Sequence, residues 1–275
     1  MRSCDQTFSS HPSPSVLWPL LTCLLFISLA SCATIYKPLA DKDVEVILSR
    51  IQAQESKVSA FYTSGGLSLR DRDWDSESHV LIVGRRNPFK IKIEVTHPWG
   101  RPIVHILIDE RDLQVLSFPD KKLYLGAFTP EALSKFLPGE LDAHMVWAVL
   151  RGYPHLLAYH RTVSMRANQI RLLDEKGKIL EIIDLYPESK HPRMVFFPEK
   201  NMGLEFSDFQ ELDGIYYARK VKVEDMDGKS NLILRKRRMV VNEAIPKEVF
   251  HLEKPPSFGI FDLEKNSGEV GPSPR

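Results

Sequence analysis

Cysteine is nearly absent from this 275-residue chain: there are three, Cys4, Cys23 and Cys32. With Cys4 and Cys23 in a leader and Cys32 reserved for lipid, no thiol pair is left for a disulfide. A chain facing an oxidising compartment without disulfides must hold itself by its core, and the remainder is long enough to build one large domain. An excess of either charge is also lacking, because 37 Lys and Arg offset 36 Asp and Glu for a formal net charge of +1. That balance gives no bulk attraction to nucleic acid, which is set aside as a partner.

Catalytic signatures are missing as well. There is no G-x-S-x-G elbow, H-E-x-x-H pair, P-loop or G-x-G-x-x-G fingerprint, so the reading is a non-enzyme with no catalytic residue and no cofactor. His97 and His105 straddle one turn, and His144, His155 and His160 surround a helical stretch. Without cysteine or an i, i+4 histidine pair they read as surface or satisfied core residues, and no metal site is expected. Asp71-Arg72-Asp73-Trp74-Asp75 lacks the glycine and terminal glutamate of a calcium loop and reads as a solvated hairpin turn.

What is present begins with one apolar run, Val16 to Ala30, closed by Leu29-Ala30-Ser31-Cys32. At about fifteen residues the run is short of the roughly twenty that span a bilayer and suits a signal-peptide core. Small residues before Cys32 make a lipobox, with Cys32 as the lipidation site; an uncleaved anchor or a chance cysteine are the alternatives. The expected organisation is a lipoprotein signal peptide over 1–31, a lipidated cysteine and tether over 32–40, one domain over 41–265, and a Gly, Pro and Ser-rich disordered tail over 266–275.

Val44, Ile47, Leu48 and Ile51 fall at helical spacing behind an Asp41 cap, which predicts a helix over Lys42 to Lys57. Period-two alternation then runs from Val58 to about Leu125 and is clearest at Phe89, Ile91, Ile93 and Val95, separated by charges. This is the pattern of an antiparallel sheet wet on one side only. Thr129-Pro130-Glu131 opens a helical stretch that breaks near Pro138-Gly139, and a second stretch with Leu141, Met145, Ala148 and Val149 stops at Gly152. Strand patterns resume from Thr162 to Val241. About ten to twelve strands and three helices, in this order, exclude a parallel α/β sheet. The expected fold is mainly β: one large, strongly curved antiparallel sheet with the helices on its concave side.

Arg235-Lys236-Arg237-Arg238 is the one concentrated basic run. Within a strand its side chains alternate between faces, and a solvated edge is expected. The apolar content can be covered in two ways, by a closed core or by a cavity that takes a lipid chain. Each buried methylene contributes about 0.8 kcal/mol, so a sixteen-carbon chain could gain on the order of 10 kcal/mol before ordering costs.

Three stretches resemble the lipoprotein-localisation superfamily (LolA/LolB-like), most of all its outer-membrane receptor branch, LolB. They are His97-Pro98-Trp99-Gly100 after a strand, Leu137-Pro138 followed by Trp147 through Pro154, and Asn242 through Leu252. The resemblance implies a half-open antiparallel β-barrel with helices as a lid over the concave face and a cavity for acyl chains. It implies Trp99 as the membrane-facing loop residue, standing where the receptor carries leucine, and Phe89, Ile91, Ile93 and Val95 are placed toward the lipid-binding cavity. The function expected is an outer-membrane-anchored lipoprotein on the periplasmic face that binds lipidated proteins or acyl chains in lipoprotein localisation. Its partners would be lipoproteins, the membrane through the N-terminal lipid, and a periplasmic LolA-like carrier. The alternative is a structural or envelope-assembly lipoprotein with a closed core and a protein partner outside it.

Overall fold

The computed structural model describes residues 37–71, 74–137, 139–228 and 231–265. Pro38–Arg275 forms one compact unit. The lipobox at Leu29 to Cys32 and the tail from Asn266 lie outside the described residues.

The chain begins with α1 (Asp41–Ser56), then runs β1 (Ala60–Asp71), β2 (Trp74–Arg85), β3 (Lys90–Thr96), β4 (Pro102–Asp109), β5 (Asp112–Ser117) and β6 (Lys122–Ala127). Two helices follow, α2 (Pro130–Ser134) and α3 (Ala143–Arg151). The second half is β7 (Arg161–Arg166), β8 (Gln169–Leu173), β9 (Ile179–Leu185), β10 (Pro192–Phe197), β11 (Met202–Leu212), β12 (Ile215–Asp225), β13 (Asn231–Val241) and β14 (Gly259–Asp262).

All fourteen strands join one sheet in the order β14-β6-β5-β4-β3-β2-β1-β13-β12-β11-β10-β9-β8-β7. Each half is a meander, and the halves meet where β1 pairs antiparallel with β13. The sheet is curved and open, with β14 and β7 as its two edges. This topology places the lid. β6 and β7 are consecutive strands near opposite edges, about twelve inter-strand spacings or roughly 60 Å apart if the sheet were flat. Their connection must therefore cross a face of the sheet, and it carries α2 and α3 across the concave one, where Leu133, Met145, Val146 and Val149 join the main core.

The outcome differs from expectation in four places. Asp41 is the first helical residue and not a cap: Ala40 is the N-cap and makes no side-chain bond, while Asp41 and Asp43 place their charges in the first turn, where the helix dipole favours them. There are fourteen strands where ten to twelve were expected, the last of them, β14, four residues long and added parallel to β6. The first half of the sheet is not wet over the whole of its outer face, since Val83, Leu107, Leu116 and Leu123 are covered by Ile245, Val249, Phe250 and Leu252 of the segment after β13. Lastly, β13 lies in the middle of the sheet and not at an edge. A β-bulge against Ser64 and Gly65 of β1 breaks its alternation, so Arg235, Arg237 and Arg238 are exposed while Lys236 alone is buried.

Candidate functional site beneath the helical lid

The lid helices start and stop where local chemistry dictates. Thr129 Oγ1 accepts from the Ala132 N–H at 3.1 Å, with Pro130 in the first turn. Asp142 Oδ1 accepts from the Met145 N–H at 3.0 Å. Both satisfy donors that a helix N-terminus leaves open. α3 ends at Gly152, whose φ of 83° is left-handed. A Cβ there would meet Ala218 O at 2.6 Å, so glycine also permits the close approach of the lid to β12.

α3 is buried around its whole circumference from Met145 to Arg151, which marks a helix enclosed by its surroundings and not one lying on a surface. One side, with Val146, Val149 and Leu150, faces a void completed by Leu137 and Leu141 from the lid and by inner-face residues of β1, β2, β3 and β13. The lining is apolar throughout, and the space is about 30 Å³. That is room for about two waters, against the roughly 150 Å³ of a cavity that admits benzene. The opposite side, with Met145 and Ala148, faces a smaller crevice against β9, β10 and β11 that also has His144, His155 and Glu181 in its walls. Trp147 packs edge-on to Phe61 at 5.0 Å and lies under the Arg86 guanidinium.

Three ionisable groups are buried in or against α3. Lys236 Nζ donates to Val149 O at 3.2 Å and to Ala218 O at 3.4 Å. Burial first, and then repulsion from Arg151, pulls its pKa down to about 7. Arg151 donates to Gln54 O and lies over the Tyr153 ring at 4.8 Å, leaving Nε and Nη1 without partners. Burial lowers its pKa to about 10. Glu181 accepts from the Leu157 N–H at 3.2 Å through Oε1, its Oε2 has no partner, and burial pushes its pKa up to about 8. Beside them, His144 and His155 stack with ring centroids 4.3 Å apart. His155 Nδ1 sits 3.1 Å from Glu55 Oε1, and Glu55 pairs with Arg86. Burial lowers the pKa of both histidines.

The residues singled out from sequence are placed as follows. Ile91, Ile93 and Val95 are buried on the inner face of β3, and Ile93 reaches the void. Phe89 is half-buried and packs on Trp147 and Phe128. Trp99 stands at the tip of the β3–β4 turn, 72 % exposed and stacked on His97. Cys32 lies outside the described residues. Sequence reasoning gave Arg151 and Glu181 no role and read Lys236 only as part of a solvated basic run, yet alternation carried a signal for two of them. Glu181 shares a face with Ile183 and Leu185, and Lys236 with Leu232 and Leu234. Among the described residues no three His, Cys, Asp or Glu side chains form a group that could hold a metal ion, and no helix is long and apolar enough to cross a membrane.

No protein-family model matches the chain, and no curated protein matches it in sequence. Solved structures do match. A DUF1329 family protein from Desulfovibrio piger superposes with a TM-score of 0.52 at 13 % identity, over 76 % of this chain and 96 % of its own. A domain from Vibrio parahaemolyticus assigned as an outer membrane lipoprotein-sorting protein gives 0.50 at 10 % identity, over 74 % and 94 %. A LolA superfamily protein from Nitrosomonas europaea gives 0.48 at 15 % identity, over 74 % and 97 %. At such identities a shared fold is what the first two likenesses establish, and neither singles out the LolB branch. This chain therefore folds as a curved, open antiparallel sheet of the kind found in the DUF1329 protein and the lipoprotein-sorting domain.

Proposed function

We propose that this protein binds acyl chains, free or attached to lipoproteins, between its curved sheet and the α2–α3 lid, without catalysing a reaction on them. The observation that carries this reading is the wholly apolar void under α3, on the concave face of an open sheet. Its present size holds no acyl chain, so binding requires α3 to move outward. Burial of each methylene at about 0.8 kcal/mol supplies the driving force for that displacement. The finer assignment rests on the lipobox and the resemblance: an outer-membrane lipoprotein anchored through Cys32 on the periplasmic face, acting in lipoprotein localisation as a LolB-like receptor. Trp99 on its exposed turn would meet the membrane interface, where indole is favoured. A LolA-like carrier would be the donor of cargo.

The small size of the void favours a second reading, a structural or envelope-assembly lipoprotein whose interior is a closed core and whose partner binds outside. One titration separates the two. A protein spanning residues 34–275, which retains the whole Pro38–Arg275 unit, is titrated with a fluorescent fatty acid and then with a competing diacyl lipopeptide. Saturable uptake reversed by the lipopeptide supports acyl binding, and its absence from folded protein assigns the closed core.

A further inference from the structure

The two spaces flanking α3 differ in their polar groups: the smaller has the imidazoles of His144 and His155 at its wall, and Glu181 is its one fully buried polar side chain. The larger is apolar throughout, whereas the smaller has apolar walls at Met145, Ala148, Val195, Phe197 and Leu204 and a single buried carboxyl, that of Glu181. Glu181 has no exposed surface. It occupies an inner-face position of β9 that an aliphatic side chain would fill without desolvation cost. One of its oxygens is held by the Leu157 N–H, and the other faces no donor or acceptor. A buried polar atom left unpaired destabilises the fold, and an apolar replacement of similar volume is commonly neutral or stabilising. A closed core gains nothing from such a group. A cavity that receives a ligand does, because the ligand supplies the missing partner.

Burial and the nearby charge of Asp142 raise the carboxyl's pKa to about 8, so at neutral pH it carries a proton and acts as a donor. The complementary group is a hydrogen-bond acceptor attached to an apolar chain, which describes the carbonyl oxygen of an acyl ester or amide. We propose that Glu181 is the polar subsite of the acyl-binding interior, donating a hydrogen bond from Oε2 to the carbonyl of a bound acyl ester or amide. The chain would lie along the Met145 and Ala148 side of α3 after the lid has moved. This inference rests on the acyl-binding reading and adds to it the class of ligand the interior selects.

The test compares monopalmitoylglycerol with its hexadecyl ether analogue, which has the same apolar chain and no carbonyl, as competitors of a fluorescent fatty acid. It is run on the 34–275 protein at pH 6.5 as wild type, Glu181→Gln and Glu181→Leu, with folding checked by circular dichroism. Wild type is expected to bind the ester about three- to tenfold more tightly than the ether, the worth of one added hydrogen bond. Glu181→Gln keeps the preference because its amide N–H still donates, and Glu181→Leu binds both equally. A wild type without preference, or a preference that survives in Glu181→Leu, overturns the subsite and leaves acyl binding standing. Failure of wild type to bind either lipid overturns both. If Glu181→Leu does not fold, the wild-type preference and its persistence in Glu181→Gln still decide the matter.

Discussion

Replacing Lys236 by Met should stabilise the protein at and below neutral pH and alter the pH dependence of its stability. The Lys236 side chain is 2 % exposed, its two partners are backbone carbonyls at 3.2 and 3.4 Å, and its nearest charge is the like-signed Arg151. Its folded pKa of about 7 lies below the ordinary 10.5 that the unfolded chain would show. Between those two values the unfolded chain binds a proton that the folded chain has shed. Stability from this group therefore rises with pH across the window, by up to about 1.4 kcal/mol per pH unit. Below pH 7 both states are protonated and the cost of burying the ammonium is present in full. Methionine has a similar length and no charge, and the two bonds it gives up are long at 3.2 and 3.4 Å, which puts them at the weak end for a charged donor. A net gain of roughly 1 to 4 kcal/mol at pH 6 is expected, the range in which buried ionic groups yield to apolar ones.

The assay is urea unfolding of the 34–275 protein followed by circular dichroism at pH 6, 7, 8 and 9, for wild type and Lys236→Met. Glu181 contributes in the opposite sense: its folded pKa is raised to about 8, so the folded chain holds the extra proton and stability falls as pH rises from the ordinary carboxylate range to 8. Both proteins carry that contribution, and it cancels in their difference. The difference should be largest at pH 6 and should shrink steadily by pH 9. Parallel curves would refute the reasoning, and a variant less stable than wild type at pH 6 would mean that the ammonium's bonds to Val149 and Ala218 outweigh its desolvation.

Two further predictions concern the membrane. Cys32→Ala should abolish incorporation of labelled palmitate in cells, as follows from the lipobox; continued labelling would assign the lipid elsewhere. Trp99→Glu should leave the melting temperature within a few degrees of wild type, because a 72 % exposed side chain contributes roughly 0.5 kcal/mol or less to folding. It should reduce delivery of a bound lipopeptide to liposomes, since a carboxylate resists the interface, and unchanged delivery would remove this turn from the mechanism.

Much of the architecture was legible in local pattern. Alternation in β3 is sharp because every second residue from Ile91 to Val95 is aliphatic and the residues between are charged, so the inner face follows from period two alone. Thr129 and Pro130 at the start of α2, and Gly152 at the end of α3, are local devices that act within one turn, and each is where the sequence places it. The Asp41 cap failed because an acid one residue inside a helix carries the same dipole signature as an acid at its boundary.

The basic run of β13 was misread for a longer-range reason. The bulge opposite Ser64 and Gly65 is a property of the β1–β13 pair, which joins residues about 170 positions apart. Nothing local to Arg235–Arg238 announces it. The cover over Leu107 and Leu116 was invisible likewise, since it depends on where the segment around Phe250 and Leu252 returns.

By itself the sequence determined which residues face inward along regular strands such as β3, where α2 begins and α3 ends, and that the charges balance. These follow from backbone periodicity, capping chemistry and composition, which act over a few residues. Only the tertiary structure decided that β1 joins β13, that α3 is enclosed on all sides, and that Arg151, Glu181 and Lys236 are buried, with Arg151 and Glu181 short of partners. Burial and pairing are sums over segments remote in the chain, and the desolvation that shifts these groups exists only once those segments have come together.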